Sequence, residues 1–179
     1  MKATHIAYIF IFGLFLSFTF TACTTATPEN YFDRAVLNTN VFNDFASESF
    51  TRQLVAYAVK QENAKVAQQP NAAQAMVESK AQYVAKALKD VKALKQTDET
   101  KEMLRTSIAL HEYVLPVYQN EYMALAKLCD SGASKDDIAA LALEIDNKYA
   151  GHFEELFIKL TNLGKAYAKK HNINVTWGN

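Results

Sequence analysis

The sequence predicts an all-α protein: an antiparallel four-helix bundle of long helices, carried behind a cleaved amino-terminal lipoprotein signal peptide. Three observations lead there. Apolar residues recur at steps of three and four over nearly all of residues 28–171. The 179 residues include only five glycines and three prolines, too few turn-formers for an all-β chain. Half of the residues are hydrophobic, enough at this length for one sizeable core and too many for a disordered chain.

Residues 1–22 read as a signal peptide. Lys2 lies in a short leading region, Ile6 to Phe20 is apolar, and the small residues Thr21 and Ala22 follow. The apolar run is about 15 residues, short of the roughly 20 that a membrane-spanning helix needs, which argues against a permanent transmembrane anchor. Phe20-Thr21-Ala22-Cys23 resembles the lipobox of bacterial lipoproteins, in which the cysteine becomes the first mature residue. Its thiol is then diacylglycerylated and its new amine acylated. Each buried methylene contributes about 0.8 kcal/mol, so several chains hold a protein durably. Cys23 is thus the expected lipidation site, and residues 23–27 the lipidated tether. Ordinary signal-peptidase cleavage near Ala22 or Ala26 is the alternative. Thr24 after the cysteine resembles lipoproteins passed on to the outer membrane, so the expected place is the bacterial cell envelope, facing the periplasm or the surface. Cys129 is then a solitary cysteine and cannot close an intramolecular disulfide; its position on an apolar stripe favours a buried thiol.

The bundle begins at Thr27-Pro28-Glu29: a capping threonine, a proline suited to the first helical position, and an acid at the positive end of the helix dipole. No proline or glycine follows until Pro70, which predicts a first helix of about 40 residues, roughly 60 Å long. The stretch Asn38 to Asn43 lowers helix propensity and could mark a bend. A second helix, about 72–95, follows Pro70-Asn71 and carries the stripe Val77, Ala81, Val84, Leu88, Val91, Leu94. A third, capped by Thr97-Asp98-Glu99, runs to about Asp130 with Leu104, Ile108, His111, Leu115, Tyr118, Tyr122, Leu125 and Cys129 on one face. Pro116 within it removes a backbone donor and should kink it. Ser131-Gly132-Ala133 makes the next turn. Ser134-Lys135-Asp136-Asp137 resembles a capping box and opens a fourth helix to about His171. Ile138, Leu141, Ile145, Tyr149, His152, Leu156, Leu160, Leu163 and Tyr167 form its expected core face. Residues 172–179, a tail of mixed polarity, hold the single tryptophan, Trp177.

Few residues offer chemistry. With the hairpin turning near residue 132, His111 and His152 stand at nearly the same level of consecutive helices, each on the expected core stripe. Glu112 and Glu155 lie close in sequence, and imidazole with carboxylate oxygen suits a transition metal. These four residues are the metal candidates. The simpler reading is two buried or half-buried histidines hydrogen-bonded to each other, to tyrosine or to glutamate. Ferritin-like di-iron bundles use Glu-x-x-His on paired helices, whereas Ile108 and Tyr149 stand three residues before the two histidines here. His-Glu-x-x-His, Cys-x-x-Cys-His, a Gly-x-Ser-x-Gly elbow, a phosphate-cradling loop and a dinucleotide fingerprint are missing. Phe and Tyr on helices one, three and four could line an apolar pocket, though such stripes usually form core.

Charge is balanced, nineteen basic side chains against nineteen acidic, with no concentrated basic footprint for nucleic acid. Locally it is uneven. Lys80, Lys86, Lys89, Lys92 and Lys95 face only Glu78 and Asp90 in the second helix, while residues 97–130 hold six acids and three bases. Complementary solvated faces on neighbouring helices are the plain reading, and a lysine face toward anionic lipid or an acidic partner is the functional one.

Residues 108–128, with their aromatic-rich run and Asn120-Glu121-Tyr122, and residues 163–175, with Ala168-Lys169-Lys170-His171-Asn172-Ile173, resemble a family of small helical lipoproteins of Gram-negative envelopes, described as surface proteins of unknown function. Pro116 and Tyr167 depart from the family pattern. The resemblance implies a helical, lipid-anchored envelope protein and carries no catalytic or binding residues. The expectation is therefore a membrane-anchored, non-enzymatic interaction or structural module without a cofactor, bound to the membrane through lipid and to an envelope protein partner. A small-ligand or metal-binding bundle using the histidine pair is the alternative.

Overall fold

A computed structural model describes residues 26–62 and 71–177. The signal peptide, Cys23 and the Pro70 break lie outside the described residues. Among those described the fold is all-α, with no strand.

Helix α1 (Pro28–Ala35) begins as expected. The Thr27 hydroxyl oxygen accepts the Asn30 backbone N–H at 3.3 Å, and Pro28 occupies the first turn. The predicted 40-residue helix does not persist. It stops after Ala35 and passes into a 3₁₀ segment, Leu37–Phe42, with helix α2 starting only at Glu48 and running to Glu62. The break coincides with Asn38, Thr39 and Asn40, whose side chains compete for backbone partners. The Thr39 hydroxyl donates to the Val36 carbonyl at 2.6 Å. Ala46 then adopts φ of 47°, and its N–H donates to the Tyr122 hydroxyl at 2.7 Å. That bond offsets the cost of left-handed backbone at a residue with a β-carbon.

Helix α3 (Ala72–Lys92) follows Asn71, whose side chain makes no cap. The cap comes from elsewhere in the chain. Asp130 accepts the Ala73 and Gln74 backbone N–H groups at 2.9 and 3.0 Å, and the Gln74 side-chain amide at 3.0 Å. Helix α4 (Lys101–Val117) starts three residues later than a Thr97 cap would place it. Thr97 and Thr100 instead bond reciprocally across the preceding turn, N–H to hydroxyl at 3.0 and 3.2 Å.

The disturbance expected at Pro116 takes the form of a π-helical segment, Tyr118–Tyr122, leading into α5 (Met123–Asp130). A wider turn accommodates a residue that lacks a donor. Helix α6 (Lys135–Lys170) is 36 residues long, about 54 Å at 1.5 Å per residue. Ser134 caps it as expected, accepting the Asp137 N–H on its hydroxyl oxygen at 3.1 Å, but the Asp137 carboxylate accepts from that same hydroxyl at 2.6 Å instead of from the Ser134 backbone N–H that a full capping box would use. Its last turn carries Lys169 and Lys170, as its dipole favours.

Helix α1 packs on α3, α4 and α6 at one end, and α2 on α3, α5 and α6 toward the other. Tyr31 donates to the Lys95 carbonyl at 2.7 Å, which sets α1 beside the α3–α4 turn. Helices α1 and α2 thus occupy successive positions along α3, α1 toward its end and α2 toward its start. The core runs the whole length, through Phe32, Phe42, Phe50, Val84, Leu104, Tyr118, Leu125, Ile145 and Leu160. The tail folds back. Ile173, Val175 and Trp177 pack against the core at alternate positions, with Trp177 edge-on to Phe32 at 5.8 Å. No helix of the described residues is long and apolar enough to cross a membrane.

Candidate functional site

The structure does not bring the four metal candidates to one point: His152 and Glu155 meet on the surface, while His111 lies in the core and Glu112 faces α3. His111 is wholly buried on α4. Its Nδ1 lies 2.7 Å from the Ser107 carbonyl, and its ring stands edge-on to Phe42 at 5.1 Å. Nδ1 therefore carries the hydrogen, and burial pushes the imidazole pKa below its usual value. Nε2 is left facing the core without a hydrogen-bond partner among the described residues. The Ser107 hydroxyl and the Tyr118 hydroxyl, on the same face of the rod, share that condition.

His152 points the other way. It is exposed on α6, with Nδ1 3.2 Å from Glu155 and its ring edge-on to Tyr113, centroids 4.8 Å apart. Glu112 faces α3 and pairs with Lys92 at 2.6 Å. Among the described residues no group of three or more His, Cys, Asp or Glu side chains is placed to hold a metal ion. The predicted level is right and the predicted face is not: Tyr113, two residues beyond His111, meets His152. Two residues on an α-helix turn the side chain by about 200°. On α6 the core-facing position is Phe153, which contacts Phe45 at 4.7 Å between ring centroids.

The aromatic residues fill one another's space rather than line a cavity. Phe45 and Phe50 meet Tyr118 and Tyr122 at centroid distances of 4.4–5.8 Å. Burial raises the pKa of both phenols, most strongly for Tyr118. At the edge of the cluster lies a pair that the sequence does not reveal. Lys80 meets Asp44 at 2.5 Å, their side chains only 12% and 19% exposed. The ammonium lies 4.6 Å from the Phe50 centroid and 5.6 Å from that of Tyr118. Lys80 thus leaves the solvated lysine face on which its spacing placed it. The available signal was its adjacency to Ala81 on the apolar stripe. Elsewhere on that face Lys92 reaches Glu112 across the α3–α4 boundary, and Lys86 reaches Asp90 within α3 at 2.6 Å. These are complementary surface contacts of small energy.

On the neighbouring surface, Tyr113 donates to the Tyr149 carbonyl at 3.2 Å, the Tyr149 hydroxyl donates to Glu121, and Lys148 lies 3.7 Å from the same carboxylate. These bonds tie the π segment to α6. Cys129 is buried, as its stripe suggests, and burial with the neighbouring Asp130 pushes its thiol up to about 11. A thiol held protonated in that way is a poor nucleophile and a poor metal ligand.

A groove of about 820 Å³ lies between α2 and the first turns of α6, with Val55, Ala139, Ala142 and Leu143 among its walls and Glu48, Arg52, Lys135 and Asp146 at its edges. Among the described residues, His111 is enclosed in the core, and His152, Glu155 and Glu112 are paired on the surface. Set against protein-family models, curated proteins and solved structures, the chain matches none.

Proposed function

We propose that the chain is a lipid-anchored protein of the bacterial envelope, acting by contact rather than catalysis, as the resemblance to small envelope lipoproteins implies. Signal cleavage after Ala22 and acylation of Cys23 give a protein held by lipid, with residues 23–27 as its tether.

One observation carries the reading: folded structure begins directly behind the lipobox. Thr27 caps α1, and Tyr31 and Phe32 are already core residues, 4% and 0% exposed. A five-residue tether spans at most about 18 Å, so the fold is held close to the lipid. The Thr27 end of the molecule, with the α3–α4 turn and the returning tail beside it, then lies within that reach of the membrane.

Radiolabelled palmitate should enter the wild-type protein and fail to enter Cys23→Ala, which should leave the membrane fraction. Wild-type protein that takes up no label, or a variant that takes up as much, overturns the anchor.

A further inference from the structure

We infer that the α2–α6 groove is a self-association surface whose occupant is the same face of a second copy. Lys135, Ile138, Ala139, Ala142, Leu143 and Asp146 all border the groove, and their spacing puts them on one stripe of α6. The stripe is symmetric in character: a cation at one end, an anion at the other, and four apolar residues between. A two-fold axis crossing α6 midway between Ala139 and Ala142 exchanges Lys135 with Asp146, Ile138 with Leu143, and Ala139 with Ala142. Ile138 and Ala142 are buried at the floor of the groove, and Ala139 and Leu143 are exposed; antiparallel docking of two copies therefore joins unlike charges at both ends and lays the exposed Ala139 and Leu143 of each copy against the other's groove. Parallel docking would set Lys135 against Lys135.

Helix α2 reinforces the pattern. Glu48 lies at the Asp146 end, where partial burial of Asp146 and, after it, the Glu48 charge raise the Asp146 pKa. Two carboxylates thus gather at one end, of which only Glu48 has a described partner, Arg52 at 2.8 Å. In the pair they would meet Lys135 of the other copy. Leu143, 60% exposed at the centre of the stripe, is the residue that gains most from being covered. Isologous surfaces of this kind are the usual basis of two-fold dimers. The two copies carry their Thr27 ends at opposite poles, so a pair anchored on one flat membrane lies lengthwise along it. The inference does not depend on acylation of Cys23.

Zero-length carbodiimide cross-linking of full-length protein tests it, using equal parts of unlabelled and ¹⁵N-labelled chain. Within one copy Lys135 and Asp146 are about 16 Å apart along the helix, beyond the reach of a zero-length link. The expected result is mixed-isotope peptides joining Lys135 to Asp146 or Glu48. Lys135→Glu alone should abolish them, as should Glu48→Lys with Asp146→Lys in one chain. Mixing these two variants should restore links between them, since both contacts then pair unlike charges. Absence of mixed-isotope links at these residues in wild type overturns the proposal. So do links at this face that persist unchanged in either charge-reversed protein on its own, as an unrelated occupant or random micelle encounters would give.

Discussion

A β-carbon placed on Gly164 would lie 2.8 and 3.0 Å from the two methyl groups of Val36. Helix α6 therefore approaches the end of α1 as closely as a side chain of hydrogen allows, and Val36 is β-branched and buried, with little freedom to yield. Gly164→Ala should destabilise the fold by about 1–3 kcal/mol through overpacking, despite alanine's better helix propensity. Val36→Ala in the same chain should recover part of the loss. Urea denaturation of the two single variants and the double variant would show this as a coupling energy; strictly additive costs would contradict it.

Asp130 caps a helix that begins 58 residues before it. Removing its carboxylate strips the Ala73 and Gln74 N–H groups of their acceptor. Asp130→Ala should cost about 1–2 kcal/mol, in the range of cap deletions. Asp130→Asn, which keeps an acceptor oxygen, should cost less. Hydrogen exchange should quicken at Ala73 and Gln74 before it quickens in the middle of α3.

Much of this architecture was readable from local chemistry. Thr27-Pro28 and Ser134–Asp137 announced helix starts because a cap is decided by residues within one turn. The break after Ala35 was signalled by Asn38 to Asn43, although its length was not. The His111–His152 pairing failed for a geometric reason. The steps from Ile138 to His152, three, four, four and three, average 3.5, whereas an α-helix turns every 3.6 residues, a drift of about 20° per heptad. Counted from Ile138, His152 lies two heptads on and has rotated off the core, which Phe153 now faces. Lys80 escaped for a different reason: its placement depends on Asp44 and Phe50, which reach it only through the tertiary fold.

The Lys80–Asp44 pair should behave asymmetrically. Lys80→Met keeps the aliphatic stem against Phe50 and leaves Asp44 still accepting from Gln53 at 3.0 Å, so it should be nearly neutral. Asp44→Ala leaves an enclosed ammonium with aromatic faces and no anion, and should cost about 2–4 kcal/mol, near the range for orphaning one member of a buried pair. In Lys80→Met/Asp44→Ala the cost should fall toward that of the loss of Asp44's remaining bonds. Thermal denaturation of the three variants measures the difference. Equal losses from both single changes would refute it.

His111 should make the fold acid-sensitive. Burial lowers its folded-state pKa, so below about pH 6.5 the unfolded chain takes up a proton that the folded chain resists. The sign follows: stability is complete above the unfolded pKa and falls as pH drops, by at most about 1.4 kcal/mol per unit, until the folded imidazole is itself protonated. The carboxylates held below their usual pKa, Glu29, Asp90 and Glu99, contribute losses of their own at lower pH. His111→Leu removes the titrating group and the unpartnered Nε2 while keeping an apolar side chain beside Phe42. Urea midpoints measured at pH 7.5 and pH 5 should differ clearly in the wild type and much less in His111→Leu. The same midpoint shift in both proteins would assign the acid sensitivity to other groups, and protonation of His111 would then not be what loosens the core.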